Sequence, residues 1–209
     1  KRNIIDFKRS FKSLSPMICF SIKSNCNAKL LREIGKLGLG ADVVSMGELM
    51  LAIKAGIKPK KIVFSGVGKT SNEISYAIDR KILLINAESI SEIKEIDRIA
   101  KSKNKKVEIG IRLNPNTDAN TLNQISTGKK DDKFGVNKKS FIKIIEYCKN
   151  SKNLELECLS VHIGSQILDY RPYEKMLRVI DNIIKKINIK FKYIDLGGGM
   201  GIPYNKNSK

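Results

Sequence analysis

Short apolar runs alternate with longer amphipathic segments along almost the whole chain of 209 residues. The short runs are rich in β-branched residues, which is typical of buried strands. They predict seven strands, at residues 18–23, 41–45, 61–66, 83–86, 107–114, 157–164 and 193–197. The longer segments predict helices at residues 28–37, 47–55, 71–80, 91–102, 140–150 and 172–186.

The alternation of strand and helix predicts parallel strands joined by right-handed crossovers. Such a chain forms either an open doubly wound sheet or a (β/α)8 TIM barrel, and both belong to the α/β class. Polar residues or glycines end nearly every predicted strand, as in a barrel that builds one site from many strand ends. We therefore predict an incomplete TIM barrel with about seven of its eight strands in this chain. An open sheet of the same strands is the alternative.

One connection is far longer than the few residues that usually join a strand to a helix. Residues 115–139 show little periodicity and include the segment Ile125-Ser126-Thr127-Gly128. A loop of this length beside the strand ends is expected to cover or bind a substrate. A lysine-rich insertion without such a role is the alternative.

The composition argues against several kinds of partner. The formal net charge is +19, but the lysines are spread over nearly every predicted helix, so we expect no nucleic-acid partner. No apolar run approaches the roughly 18 residues that span a bilayer, so we expect no membrane partner. One histidine, and four cysteines without a CxxC pair, predict no metal site and a cytoplasmic protein with reduced thiols. The chain has no initiator Met, and we expect it to begin inside a longer protein.

Lys23 is the most informative lysine, because it ends an apolar run that contains Phe20 and Ile22. A lysine at the end of a buried strand loses hydration, which favours the neutral amine, a nucleophile toward carbonyl groups. This is the chemistry of a lysine that attaches pyridoxal phosphate (PLP). An exposed lysine at a strand end is the alternative.

The segment Gly197-Gly198-Gly199-Met200-Gly201 follows another apolar run. It does not fit the dinucleotide fingerprint GxGxxG, because the sixth position counted from Gly197 is Ile202 and Pro203 stands where a helix should continue. A bare backbone at this place instead predicts amides that approach a phosphate closely. A tight structural turn is the alternative.

Other strand ends carry chemistry as well. His162 precedes Gly164 and Ser165, and an imidazole there could stack on an aromatic ring while the serine donates to a phosphate. Arg112 places a positive charge on a predicted buried strand, so it needs an anionic partner. Asp42 likewise places a negative charge on a predicted strand and needs a partner that can balance it. Two further strand-end acids, Glu88 and Asp195, have no predicted role.

Several motifs in order resemble the alanine-racemase-fold, PLP-dependent decarboxylases, the family of ornithine, arginine and diaminopimelate decarboxylases. Within that family the resemblance is to the diaminopimelate group. The motifs are Phe20-Ser21-Ile22-Lys23-Ser24-Asn25, Gly40-Ala41-Asp42-Val43-Val44-Ser45-Met46-Gly47-Glu48-Leu49, Ile62-Val63-Phe64-Ser65-Gly66-Val67-Gly68-Lys69-Thr70, Ile125-Ser126-Thr127-Gly128, Lys133-Phe134-Gly135, His162-Ile163-Gly164-Ser165-Gln166, and Asp195-Leu196-Gly197-Gly198-Gly199 with the residues to Tyr204.

The resemblance implies an enzyme that converts meso-2,6-diaminopimelate into L-lysine and CO2, and that works as a homodimer. It implies that Lys23 attaches the cofactor and that His162 stacks on its pyridine ring. Asp42 and Arg112 would lie on the side of the ring hydroxyl. The phosphate would be held by Ser165 and by Gly197, Gly198 and Gly199, and the substrate loop would use Ser126, Thr127 and Gly128.

The chain also departs from the family pattern. The family's Glu-Pro-Gly-Arg strand and the Cys-Glu-Ser motif of its C-terminal β-domain do not occur here. We therefore expect residues 1–209 to form the barrel portion of a longer enzyme, without the β-domain, and to be inactive or nearly so alone. A sister decarboxylase for ornithine, arginine or carboxynorspermidine and a non-catalytic PLP-binding protein are the alternative functions.

Overall fold

A computed structural model describes residues 2–117, 127 and 134–204 of the chain. They form two compact units. The first comprises Lys1–Ser65 and Tyr76–Leu83, and the second comprises Gly66–Ser75 and Leu84–Lys209. Within the described ranges, no helix is both long and apolar enough to cross a membrane.

The first unit holds three parallel strands. Its elements are α1 (Arg2–Ser10), β1 (Cys19–Ser21), α2 (Ala28–Lys36), β2 (Gly40–Val43), α3 (Met46–Lys54) and β3 (Ile62–Phe64). A 3-10 turn at Ile22–Ser24 follows β1, and another at Pro59–Lys61 precedes β3. The strands β1, β2 and β3 pair in chain order, which places Ser21 opposite Asp42.

The second unit holds four parallel strands. After α4 (Ser71–Asp79), whose residues are divided between the units, come β4 (Leu84–Ala87), α5 (Ile90–Ser102), β5 (Val107–Arg112), α6 (Lys138–Asn150), β6 (Leu154–Ser160), α7 (Arg171–Ile187) and β7 (Tyr193–Asp195). The strands again pair in chain order, with a shift of register between Ile109 and Gly110. Parallel strands joined by helices confirm the predicted α/β class in both units.

Apolar runs form these strands because both of their faces are covered. All residues of β3 and of β4 are buried, so their sequences do not alternate between apolar and polar residues. Asn86 is the single polar residue of these two strands. In the second unit, Ile93 and Ile96 of α5 and Phe141 of α6 are fully buried. The 3.6-residue spacing of such residues is what places them on the inner face of each helix.

Three helices begin with the same local device. A serine or threonine hydroxyl accepts the backbone N–H three residues later, and a glutamate at that later position returns a bond to a backbone N–H near the start. This arrangement satisfies amides that the helix itself leaves unpaired. The pairs are Ser45 with Glu48, Thr70 with Glu73, and Ser89 with Glu92.

All predicted strands and helices are present, with changed ends. The strand predicted at 18–23 ends at Ser21, and the one predicted at 157–164 spans Leu154–Ser160. The polar residues that were predicted to end strands therefore lie in the turns that follow them. The patterns did not predict α1, and this helix has no buried residue from which a core-facing pattern could arise.

Candidate functional site

Lys23 lies in the 3-10 turn that follows β1, and its side chain is exposed. The preceding Ile22 is fully buried, because neighbouring residues of a turn project in different directions. The turn is closed by the hydroxyl of Ser24, which donates to the Ser21 carbonyl over 2.7 Å. The predicted burial of Lys23 is therefore wrong. Within the described residues its ammonium has no hydrogen bond or ion pair.

Asp42 joins the ends of the three strands in the first unit. Its carboxylate accepts a hydrogen bond of 2.6 Å from the Ser65 hydroxyl and one of 3.3 Å from the Ser21 hydroxyl. The parallel register places these residues in a row, because Ser21 lies opposite Asp42 and Ser65 follows β3. Asp42 thus fixes the strand end from which the turn of Lys23 begins.

Arg112 has its anionic partner within the second unit. Its Nη1 lies 3.1 Å from Oε1 of Glu88, and the two side chains are only 12% and 3% exposed. The other oxygen of Glu88 accepts the N–H of Gly135 over 3.1 Å, and the guanidinium carbon lies 4.9 Å from the centre of the Phe134 ring. Glu88, which had no predicted role, thus neutralises Arg112 and anchors the segment that contains Phe134.

The glycine turn after β7 needs its glycines for steric reasons. Gly199 has φ +88°, and a Cβ there would lie 1.9 Å from the carbonyl oxygen of Gly164. Gly197 has φ +67°, and its Cβ would lie 2.7 Å from Nδ1 of His162. Side chains rarely adopt such φ values. Around Gly198, by contrast, nothing lies within 4 Å of an added Cβ.

Hydrogen bonds within the protein already occupy part of the turn. The N–H of Gly197 donates to Oδ1 of Asp195 over 2.8 Å, and the N–H of Gly198 donates to Nδ1 of His162 over 3.3 Å. The hydroxyl of Tyr173, on α7, donates to the carbonyl of Gly198 over 2.9 Å. Two successive amides remain, since the N–H groups of Gly199 and Met200 have no partner in the described part of the chain.

Successive unpaired amides in a turn make a concave site for an anion. The neighbouring loop after β6 supplies a hydroxyl as well, because Ser165 is exposed and its side chain makes no hydrogen bond among the described residues. The two loops are held together: Ile167 exchanges hydrogen bonds with Gly199 and Gly201, and the amide of Gln166 exchanges two with Ile202. The residues present therefore fit a phosphate group.

His162 contacts both the glycine turn and Thr127 of the long loop. Its Nδ1 accepts the Gly198 N–H, so a neutral ring carries its proton on Nε2. Its backbone carbonyl accepts the Thr127 hydroxyl over 2.7 Å, and the Thr127 N–H donates to the Ile163 carbonyl over 3.2 Å. The other candidate residues of the substrate loop, Ser126 and Gly128, lie outside the described residues.

Asp195 stands at the centre of a buried polar cluster that the sequence left without a role. Its Oδ2 accepts Nδ2 of Asn86 over 2.9 Å and the Ser160 hydroxyl over 3.0 Å. Asn86 can reach from β4 to β7 because Gly110 on β5 has no side chain, and a Cβ there would lie 1.9 Å from Oδ1 of Asn86. That Oδ1 is buried and has no hydrogen-bond partner among the described residues. The spacing Asp195-Leu196-Gly197, an aspartate two residues before glycine, is the signal that predicts such a turn.

Lys69 is a second residue that the sequence patterns missed. Its side chain is 1% exposed and its Nζ donates to the carbonyls of Gly66 and Asn86, over 2.5 and 2.7 Å. It also pairs with Oε1 of Glu92 over 2.6 Å. The side chain of Lys69 is therefore buried, and its nitrogen has three acceptors.

The cysteines make no disulfide. Cys158 is fully buried, whereas Cys19 is only half-buried. Burial raises the pKa of the Cys158 thiol, and the neighbouring Asp195 carboxylate raises it further. Burial likewise raises the pKa of Cys148 to about 12. These two thiols therefore stay protonated at neutral pH and pack as small apolar groups.

Comparison with known proteins bears directly on this geometry. A family model described as pyridoxal-dependent decarboxylase, pyridoxal binding domain, matches residues 1–209. A diaminopimelate decarboxylase of Helicobacter pylori is 44% identical over 207 residues, which are 98% of this chain and 51% of that relative. One from Aquifex aeolicus is 44% identical over 197 residues, covering 92% of this chain and 47% of its own. The chain thus spans about half the length of the curated relatives it matches.

Comparison with solved structures gives the same kind of relative. The crystal structure of a diaminopimelate decarboxylase from Helicobacter pylori, complexed with L-lysine, superposes on 100% of this chain and 53% of its own with a TM-score of 0.95 and 41% identity. One from M. jannaschii, also with L-lysine, gives 0.85 and 37% identity over 92% of this chain and 46% of its own. These matches confirm the predicted fold class, an incomplete barrel of the PLP-binding type, and the family description confirms the predicted cofactor.

Proposed function

Because the chain belongs to the pyridoxal-dependent decarboxylase family through its pyridoxal-binding domain, we propose that it is the cofactor-binding part of an enzyme that decarboxylates meso-2,6-diaminopimelate to L-lysine and CO2. The observation that carries the proposal is the identity of 44% to a diaminopimelate decarboxylase over almost the whole chain. The relative of that name with L-lysine bound, the product of the proposed reaction, supports the same substrate class.

The glycine turn and Ser165 hold the cofactor phosphate. The N–H groups of Gly199 and Met200 and the Ser165 hydroxyl donate to the anion, because these donors have no other partner among the described residues. Gly197 and Gly198 contribute by shaping the turn, since their own N–H groups are bonded to Asp195 and His162.

The ring of His162 packs on the pyridine ring of the cofactor. The Gly198 N–H holds Nδ1, so the orientation of the imidazole is fixed by the same turn that receives the phosphate. When bound, the protonated pyridine ring supplies the electron sink for the electrons that the departing carboxylate leaves behind.

Lys23 supplies the amine that attaches the cofactor. Its exposed side chain can reach a carbonyl carbon without first breaking an ion pair in the described part of the protein. Asp42 and Arg112 contact the cofactor on its hydroxyl side. Arg112 acts there as a hydrogen-bond donor, because Glu88 already balances its charge.

Thr127, with Ser126 and Gly128, contacts the substrate. Its two bonds to the backbone of His162 and Ile163 place it beside the candidate ring-stacking residue. A substrate that touches Thr127 would therefore lie near His162.

We also propose a cytoplasmic homodimer. Support for a protein contact comes from Leu168, Met200 and Ile202, which lie on neighbouring loops of the second unit and are 60%, 61% and 61% exposed. Apolar side chains grouped in this way are typical of a surface that another polypeptide covers. All four cysteines are thiols, which suits a reducing compartment.

The test begins with absorbance spectra of the protein titrated with PLP, followed by borohydride reduction and peptide mapping. We expect a new visible band and a reduced cofactor on Lys23 alone. The complete gene product should then release CO2 from meso-diaminopimelate, and far more slowly from ornithine or arginine. Attachment at another lysine would contradict the cofactor assignment, and equal rates on the three amino acids would contradict the substrate.

A further inference from the structure

We propose that Asp195 is a positioning residue that sets the phosphate-binding turn, through a buried support formed by Asn86 and Ser160. The inference rests on the proposed cofactor and extends it to residues that touch neither the cofactor nor the substrate. It assigns a role to a carboxylate, an amide and a hydroxyl that the proposed function leaves unused.

The support is rigid because its donors are buried. Asn86 is 2% exposed and Ser160 is 5% exposed, and both donate to Oδ2 of Asp195. They come from β4 and β6, so the carboxylate is held from two strands at once. Donors on separate strands restrict the rotation of the Asp195 side chain.

The second oxygen of the Asp195 carboxylate links the side chain to the glycine turn. Oδ1 accepts the N–H of Gly197 over 2.8 Å, a local bond that reproduces the geometry of a backbone turn. Gly197 adopts φ +67° there. The two peptide groups that flank the next residue are also held, since the Gly198 N–H donates to His162 and the Gly198 carbonyl accepts from Tyr173.

Only the next two amides are left to face an anion. The first two N–H groups of the turn are used inside the protein. The Gly199 N–H shares a peptide plane with the carbonyl that accepts from Tyr173, and the Met200 N–H shares one with the carbonyl that accepts from Ile167. The bond from Gly197 to Asp195 fixes the start of the turn that leads into these two peptides. Removing the bond to Asp195 frees Gly197 to rotate, and the two amides are then held only by the bonds to their neighbouring carbonyls, from one side of the turn. The loss should weaken the binding of phosphate and leave the binding of the pyridine ring much less affected.

The experiment compares PLP with pyridoxal, which lacks the phosphate. The dissociation constants of PLP and of pyridoxal are measured by absorbance titration of the full chain. The dissociation constant of pyridoxal divided by that of PLP is the ratio of PLP to pyridoxal affinity, and it reports the phosphate contribution. We expect Asp195→Ala to reduce this ratio by about tenfold, the scale for one lost hydrogen bond to a charged group. Asp195→Asn retains an oxygen for Gly197, and Asn86 can turn its amide to face it, so this variant should keep most of the ratio.

Asp97→Ala is the matched control. Asp97 also lies in the second unit and, like Asp195, accepts three hydrogen bonds, here from the side chains of Tyr147, Ser151 and Asn153, but it is on α5 and away from the turn. Its replacement should lower the melting temperature and leave the ratio of PLP to pyridoxal affinity unchanged.

The outcomes separate the two proposals. Absence of PLP binding in the wild type would defeat the proposed function. If the wild type binds PLP more tightly than pyridoxal and Asp195→Ala shows the same ratio of the two affinities, the positioning role alone would be defeated. If Asp195→Ala does not fold, Ser160→Ala gives the answer: it removes one of the two supporting donors, and the ratio should fall about threefold, whereas an unchanged ratio would overturn the inference.

Discussion

Lys23 and Lys69 both follow a parallel strand, and their surroundings are opposite. Lys69 is 1% exposed and donates to two carbonyls and to Glu92. Lys23 is exposed, and its ammonium has no partner among the described residues. A buried lysine whose side-chain nitrogen donates to three acceptors must first give up those hydrogen bonds before it can attack a carbonyl. Availability for chemistry therefore depends on which acceptors surround a lysine and not on its burial alone.

The largest expected difference between these lysines is chemical. Lys23→Ala should abolish the cofactor label that borohydride fixes to the protein, because no other amine is expected to replace it. Lys29→Ala, an exposed lysine on α2, is the control and should keep the full label. Both changes should alter the free energy of unfolding by no more than about 0.5 kcal/mol. Mass spectrometry of the reduced protein decides, and a full label in Lys23→Ala would reverse the comparison.

For the free energy of unfolding, replacing Lys69 should have a larger effect than replacing Lys23. Lys69→Met removes the cation from a buried pair and leaves Glu92, which is only 10% exposed, without its partner. Breaking a buried ion pair in this way costs about 3–5 kcal/mol. Urea unfolding of Lys69→Met and Lys23→Met measures the contrast.

The double variant Lys69→Met with Glu92→Gln tests the cause of that loss. It no longer buries an unpaired carboxylate and should recover part of the stability. Equal unfolding free energies for Lys69→Met and Lys23→Met would show that the burial of Lys69 has no energetic consequence.

The glycine turn offers a smaller contrast between adjacent residues. Gly199→Ala would force a Cβ to within 1.9 Å of the Gly164 carbonyl at φ +88°, and overpacking of this kind costs about 1–3 kcal/mol. Gly198→Ala meets nothing within 4 Å and should be nearly neutral. Melting temperatures test both, and PLP titration should show weaker binding only for Gly199→Ala. Similar losses at both positions would mean that the turn is not as closely packed as the structure shows.

The smallest effect concerns a carboxylate whose partners are neutral. Partial burial acts to raise the pKa of Asp97, but hydrogen bonds from Ser151, Tyr147 and Asn153 outweigh it, and the pKa lies below its ordinary value of 3.8. Because folding lowers this pKa, the stabilisation is complete above about pH 4 and is lost as the pH falls through the folded-state value.

The variant Asp97→Asn removes that stabilisation. It should be less stable than the wild type by about 1 kcal/mol at pH 7, and the difference should shrink below about pH 4. Thermal unfolding from pH 7 to pH 3 measures it. A difference that stays constant down to pH 3 would show that the charge of Asp97 contributes nothing.

The helices could be predicted because their signals are local. Ser45 with Glu48 and Ser89 with Glu92 mark helix starts within four residues of sequence. The long-range polar partners could not be predicted in this way. The bond between Asn86 and Asp195 joins residues 109 positions apart, and it depends on strand register and on a glycine at position 110.

The candidate site shows the same division. Sequence motifs singled out Lys23, His162 and the glycine turn. They gave no means of seeing that Glu88 neutralises Arg112, because that pairing arises only when β4 and β5 lie side by side. The burial predicted for Lys23 failed for a related reason: apolar neighbours show that a strand is buried, but not where it ends.

The contact between Gly110 and Asn86 constrains how this protein can evolve. A Cβ at position 110 would overlap Oδ1 of Asn86, at 1.9 Å, so no larger residue can be accepted there while the asparagine remains. Position 86 must shorten first, and that step gives up the support of Asp195. The two positions are therefore expected to change only in that order, and related sequences with a side chain at 110 should carry a small residue at 86.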